Sequence, residues 1–231
     1  EFGGEFKFFN NRFGFDLTYY KQNSKDQILP VPVAQTSGFD TFVLNAGEIE
    51  NKGIEALVNI VPIKTQDFKW DITLNWSKVD AEVLSLPTGI DEIIFADSGF
   101  PGIVSKLQVG GAPGDLFGYT WERDAAGNRI IRDDGFPRVL ANSPSDLVKV
   151  GNALPDWLGS IGSSISYKGL ALSFLFERKE GGELYDSAQR NGIRNGVLKI
   201  TEQREDGVIL DGVLANGSPN NIPVTIDENY Y

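Results

Sequence analysis

The 231-residue chain contains no cysteine, no histidine and no methionine. Without cysteine there is neither a disulfide nor a thiolate metal site. Without histidine the usual general base and the commonest transition-metal ligand are missing. The lack of methionine leaves residue 1 without the look of a native initiator. The chain also opens inside an apparent strand, where Phe2, Phe6 and Phe8 alternate with Glu5 and Lys7, and it stops after Asn229-Tyr230-Tyr231 without a recognisable end. We therefore expect a piece of a longer polypeptide. Basic residues are scarce: 21 Lys and Arg against 32 Asp and Glu give a formal charge of −11, which argues against a nucleic-acid binder. No apolar run approaches the roughly 18 residues of a transmembrane helix, and no signal peptide is visible. These absences do not make the chain a soluble one, because a barrel strand needs only about 9–11 residues and half of them face water.

What is present is a period of two. In Phe13-Gly14-Phe15-Asp16-Leu17-Thr18-Tyr19 the odd positions are large and apolar and the even ones small or polar. Trp70-Asp71-Ile72-Thr73-Leu74-Asn75-Trp76-Ser77 and Leu170-Ala171-Leu172-Ser173-Phe174-Leu175-Phe176-Glu177 repeat the pattern. Successive side chains of a strand point to opposite faces, so each segment has one apolar and one polar wall. Aromatic residues near the ends of the apolar wall suit a strand held between lipid and a polar lumen.

The pattern predicts six strands, at about 2–9, 13–22, 47–61, 68–83, 156–167 and 169–179. Their connections alternate in length. Asn10-Asn11-Arg12, Pro62 to Asp67 and Lys168-Gly169 are tight turns, whereas about 23–46, 84–155 and 180–231 are long excursions. In an antiparallel meander, alternate connections lie on one side of the sheet, so all long loops share a side. Outer-membrane barrels have short periplasmic turns and long extracellular loops. A soluble sandwich offers the same strand period but no reason for one-sided loops. The expected fold is therefore all-β: an antiparallel transmembrane β-barrel segment of about six strands with long extracellular loops. The lipid-facing rows would be Phe2/Phe6/Phe8, Phe13/Phe15/Leu17/Tyr19, Ile54/Ala56/Val58/Ile60, Trp70/Ile72/Leu74/Trp76, Trp157/Ile161/Ile165/Tyr167 and Leu170/Leu172/Phe174/Phe176. The lumen-facing rows would carry Asp16, Glu55, Asp71, Thr73, Asn75 and Glu177, among others. Six strands alone leave two open edges, so the rest of the barrel must come from elsewhere.

Phe8-Phe9-Asn10-Asn11-Arg12-Phe13-Gly14-Phe15-Asp16-Leu17-Thr18-Tyr19-Tyr20 resembles the strand–turn–strand signature of SusC/RagA-type TonB-dependent outer-membrane transporters. So does Asn45-Ala46-Gly47-Glu48-Ile49-Glu50-Asn51-Lys52-Gly53-Ile54-Glu55, the most specific stretch. Trp70 to Trp76, Gly151-Asn152 with Pro155-Asp156-Trp157, and Ser166 to Leu170 leading to Gly181-Gly182 follow in the family's order. The resemblance covers most of residues 1–200. It implies a barrel of ~22 strands around an N-terminal plug in the outer membrane of a Gram-negative bacterium. It further implies import of oligosaccharides or peptides, a SusD-like surface lipoprotein as lid, and energy from the TonB complex acting through an N-terminal part that this sequence lacks.

Loop aromatics are the candidate substrate contacts: Phe39, Phe42, Phe95, Phe100, Tyr119, Trp121 and Tyr185. Sugars and peptides dock on aromatic faces fixed by a few polar groups, although the same rings would serve as small cores within folded loops. Trp121 and Tyr119 lead, because Gly118-Tyr119-Thr120-Trp121 starts a hairpin whose partner is Arg129 to Arg132 across the turn 124–128. Asp124, Asn128, Asp133 and Asp134 do not match a calcium loop and read as a solvated turn. Glu180 and Glu183 flank two glycines, which favours a strand-end turn over a glycosidase pair. The glycine clusters lack a following helix and match no phosphate loop. We expect no catalysis, metal or cofactor. The alternatives are a soluble all-β carbohydrate-binding module and a passive porin, with an enzymatic jelly roll the weakest.

Overall fold

The computed structural model describes residues 1–39, 41–97, 103–140, 147–202 and 204–226. Two compact units emerge: 1–97 with 105–116 and 151–183, and 98–104 with 117–150 and 184–231.

The first unit is built on a six-stranded antiparallel sheet. Its strands are β1 (Phe2–Phe8), β2 (Phe13–Pro32), β3 (Thr41–Lys64), β4 (Phe68–Ser85), β10 (Pro155–Tyr167) and β11 (Leu170–Gly181), in that spatial order. The register matters most, because directly opposed residues in an antiparallel sheet share a face. Phe6, Phe15, Val58, Leu74, Ile161 and Phe176 are opposed in one unbroken row across all six strands. The neighbouring row on the other face runs Glu5, Asp16, Leu57, Asn75, Ser160 and Glu177. An alternation seen within single strands has thus become two continuous walls.

Several expected boundaries move. Residues 23–46 do not form one loop: β2 and β3 stay paired in constant register from Phe13↔Ile60 to Pro32↔Thr41, leaving 33–40 as the connection. These extensions have no period of two, because Asn23 to Gln27 are polar on both faces while Ile28 to Pro32 and Phe42 to Leu44 are apolar on both; ladder hydrogen bonds need no particular side chain. Phe9 belongs to the first turn, where Phe9, Asn10 and Asn11 all have positive φ. β3 runs past a bulge between Ile60 and Ile63, and the second turn shortens to 65–67. Lys168-Gly169 makes the third turn with φ of 51° and 151°, a combination that glycine tolerates best.

The expected loop 84–155 contains short strands. β5 (Glu92–Asp97), β6 (Ile103–Gln108), β7 (Asp115–Gly118) and β9 (Val148–Asn152) form a four-stranded sheet. At the long-loop end of the first unit, Val31, Val83, Ile93 and Leu107 form a small buried core, with Leu44, Ile49, Leu86 and Ile90 packed around it. The turn after β6 is pinned to β4, since Val83 N donates to Gly111 O at 2.9 Å and Gly110 N to Val83 O at 2.8 Å.

In the second unit, β8 (Ile130–Ile131) pairs in parallel with β13 (Val213–Leu214), and β12 (Val208–Ile209) pairs with β14 (Pro223–Val224). The segment 180–231 therefore has structure of its own, including one helix, α1 (Ser187–Arg194), whose first turn is capped by Asp186 Oδ1 accepting from Gln189 N. Phe117, Ile131, Ile193, Val224 and Ile226 are among its buried apolar side chains.

Candidate functional site

The apolar face of the six-stranded sheet bears Phe15, Leu17, Ile54, Val58, Trp70, Ile72, Leu74, Trp76, Leu172, Phe174 and Phe176, all placed together by the register. The strand spacing of ~4.8 Å and rise of ~3.3 Å per residue make this band roughly 24 Å wide and 20 Å tall. Its rings and aliphatics are open rather than packed: Phe6 is 54 % exposed, Ile161 51 % and Phe176 67 %. A continuous apolar patch of this kind marks a contact surface. Its Ser163 is satisfied by Trp70, whose Nε1 donates to Ser163 Oγ at 2.9 Å. Charge enters this face at its long-loop border. Arg178, in the row of Leu17 and Trp76, lies 5.6 Å from the Trp157 ring and bonds Glu180. Just beyond Tyr19 and Ile54, Glu50 binds both Lys21 and Lys52.

The opposite face is knitted by polar side chains on adjoining strands. Thr73 Oγ1 donates to Asn59 Oδ1 at 3.0 Å, Asn75 Nδ2 to Ser160 Oγ at 3.0 Å, and Ser173 Oγ to Ser164 Oγ at 2.9 Å. Each bond joins directly opposed residues, the unit by which sheets gain stability. Asp71 holds Lys69 at 2.7 Å. Asp16, Glu55 and Glu177 have no ion-pair partner among the described residues, and with Asn75, Ser77 and Lys179 they line a concavity of about 750 Å³. This is the candidate site: a polar hollow with unpaired carboxylates, able to hydrogen-bond a sugar, a peptide or a folded plug. Leu57, Leu158 and Lys179, which also line it, escape sequence reading because two of them break the polar pattern.

The two signature segments form one structure. Tyr20 is opposed to Gly53 and Tyr19 to Ile54, and a Cβ on Gly53 would clash with the hydroxyl end of the Tyr20 ring. Glycine is required there so that the tyrosine ring can lie across the neighbouring strand.

The long-loop end carries a buried polar clasp. Asp115, only 2 % exposed, accepts from Ala112 N at 3.0 Å and from Asn152 Nδ2 at 2.6 Å. Asn152 Oδ1 accepts from Leu154 N, and Asn152 N donates to Glu183 Oε2 at 2.7 Å. The clasp ties the turn before β7 and its first residue to the last residue of β9 and to Glu183, just past β11. Gly151-Asn152 was visible as a motif; its partner Asp115 was not.

The loop aromatics do not assemble. Phe39 and Phe42 flank the β2–β3 connection and are strongly exposed, Tyr119 and Tyr185 are moderately exposed, and Trp121 is half-buried. No ring pair joins any of them among the described residues. Phe100 and the side chain of Phe95 lie outside the described residues. The 124–128 turn closes on itself. Asp124 Oδ1 accepts from Ala126 N and Asn128 N, and Ile130 N donates to Glu122 O. Asn128 Nδ2 also donates to Asp124 Oδ2 at 3.0 Å, and this side-chain bond, with the backbone bond from Asn128, holds the Asp124 carboxyl below the usual range.

A family model described as TonB dependent receptor-like, beta-barrel, matches residues 1–198. The chain belongs to this TonB-dependent receptor barrel family. TonB-dependent receptor P26 of Formosa agariphila is 32% identical over 208 residues, which cover 81% of this chain and 20% of the relative. TonB-dependent receptor SusC of Bacteroides thetaiotaomicron is 29% identical over 135 residues, 55% of this chain and 14% of the relative. The RagAB peptide importer in its closed-closed state has the same fold, with a TM-score of 0.67 at 20% identity over 84% of this chain and 22% of that one. The SusC/RagA-type assignment read from the signature segments agrees with these likenesses. The chain spans about a fifth of the length of the relatives it matches.

Proposed function

We propose that this chain forms part of the barrel wall and the extracellular mouth of a TonB-dependent importer in a Gram-negative outer membrane. The carrying observation is the pair of continuous walls, one apolar through all six strands and one polar and concave. The apolar wall meets lipid. The polar wall, with Asp16, Glu55, Asp71, Thr73, Asn75 and Glu177, lines the solute path or receives the plug. The tight turns face the periplasm, and the long segments shape the mouth, where Tyr119, Trp121, Tyr185, Phe39 and Phe42 are offered to substrate or to a SusD-like lipoprotein. The cargo is a bulky nutrient, an oligosaccharide or a peptide, and the chain carries out no covalent chemistry. Membership of the TonB-dependent receptor family and the likeness to SusC and RagAB support this reading.

The test is made on native outer membranes. The polypeptide carrying this sequence is captured with an antibody to 84–155, and its intact mass and companions are recorded. A species several times larger than 25.3 kDa, accompanied by a surface lipoprotein, is expected. A dispersed species of about this chain's own mass without a partner would contradict the proposal and favour a soluble binding module.

A further inference from the structure

We propose that the tight-turn end of the six-stranded sheet is a docking surface for the phosphate headgroups of anionic phospholipids in the periplasmic leaflet; this rests on the lipid-facing reading above. Along the strands the cations hold carboxylates: Lys21 and Lys52 share Glu50, Lys69 holds Asp71, Lys78 holds Asp80 and Arg178 holds Glu180. Apart from Lys179, toward the long-loop end of the polar face, the sheet cations without an ion pair among the described residues are Arg12, Lys64 and Lys168, one at each tight turn, with Lys64 opposed to Lys69 at the turn end of the polar face. All three are exposed. In a chain of net charge −11, this segregation sets the turn end apart from the rest of the sheet.

The three turns lie side by side. Val61 N donates to Arg12 O at 2.7 Å, the Arg12 guanidinium reaches Lys64 O at 3.5 Å, and Lys168 N donates to Asp67 O at 2.9 Å. Asp67 is the one acid among residues 9–12, 65–67 and 168–169. Rings on the apolar face border this basic row. Phe8 and Phe13 stand 6.1 Å apart, Phe68 and Tyr167 6.5 Å apart, and Lys168 Nζ lies 5.4 Å from the Tyr167 centroid. Aromatic rings at headgroup depth with basic side chains beside them form an interfacial anchor, and the cations complement a net negative headgroup. A zwitterionic headgroup offers no such net complement.

The experiment uses the full-length protein in mixed phosphatidylglycerol and phosphatidylethanolamine, with retained lipid read by native mass spectrometry. The natural protein retains phosphatidylglycerol preferentially, and R12Q/K64Q/K168Q reduces that retention by roughly a hundredfold. K21Q/K52Q/K78Q, altering paired cations at the other end, leaves it unchanged. Asp67→Asn increases it. If the triple turn variant does not assemble, Lys168→Gln is read instead, because only the backbone of Lys168 joins the turns; roughly a fivefold loss is expected. Retention of phosphatidylglycerol by an assembled turn variant, or equal retention of both lipids by the natural protein, overturns the docking surface while leaving the lipid wall intact. A protein that never enters the bilayer overturns both.

Discussion

The six-stranded wall and the rim at its long-loop end are stabilised in opposite ways. The wall has no core of its own, because its apolar row from Phe6 to Phe176 is open along one face and its polar row along the other. What holds it is the hydrogen-bonded ladder, with cross-strand pairs such as Thr73–Asn59. The rim encloses Val31, Val83, Ile93 and Leu107 and buries the Asp115–Asn152 clasp, as a small soluble domain does. The difference teaches that the wall takes its stability from what surrounds it, whereas the rim holds its shape from within.

The largest break should come from charging the apolar wall. Leu74→Arg in the full-length protein places a cation among lipid tails at a cost of about 2–4 kcal/mol and should abolish assembly, read as loss of the heat-modifiable barrel band. Thr73→Arg, one residue along on the polar face, should assemble nearly normally. Equal defects would dissolve the distinction between the faces.

Next comes a site where the wall does depend on close fit. Gly53→Val drives side-chain carbons into the Tyr20 ring, for a loss of about 1–3 kcal/mol measured by denaturant unfolding in detergent. Tyr20→Ala in the same chain should recover most of it, and a double variant no better than Gly53→Val would remove the steric explanation.

The rim should fail locally. Asn152→Ala takes one of the hydrogen bonds from buried Asp115, worth about 1–3 kcal/mol. Amide exchange should accelerate at 111–118 and 151–154 while β3 and β4 stay protected. Faster exchange throughout the sheet would show that rim and wall are one cooperative unit.

The smallest effect is electrostatic. The Glu92 carboxyl is held below its usual range by Lys106, whose Nζ donates to it at 2.7 Å, with Gln108 adding a second bond. A depressed folded pKa means this stabilisation is complete above the ordinary glutamate value of about 4.3 and is lost as pH falls through the lower folded value. Protection of 92–97 and 103–108 should therefore hold between about pH 5 and 8 and weaken only in stronger acid. Loosening near neutrality would contradict the pairing.

Sequence alone revealed the wall because one residue in two must meet each environment, so Trp70 to Ser77 declare their faces before any partner is known. It also revealed the tight turns, through Asn10-Asn11 and Lys168-Gly169. The ends of β2 and β3 beyond 22 and before 47 stayed hidden: Asn23 to Gln27 are polar on both faces, and Ile28 to Pro32, which pair with Thr41 to Asn45, are apolar on both, so neither stretch has a period to read. The rim clasp was half visible, since Asn152 sits in a motif while Asp115 follows an ordinary Gly-Ala-Pro-Gly turn 37 residues earlier in the chain. The concavity was legible in its carboxylates but not in Leu57 and Leu158, which strand pairing alone brings to the polar face.

The most direct test of the two-faced wall is spin-label accessibility in lipid bilayers, using Leu74→Cys and Ile161→Cys against Thr73→Cys and Ser160→Cys in the full-length protein. Labels at 74 and 161 should be relaxed by oxygen and shielded from a water-soluble nickel chelate, and labels at 73 and 160 should show the reverse preference or be shielded from both by the plug. Oxygen access at 73 and 160 equal to that at 74 and 161 would contradict a wall with lipid on one side only.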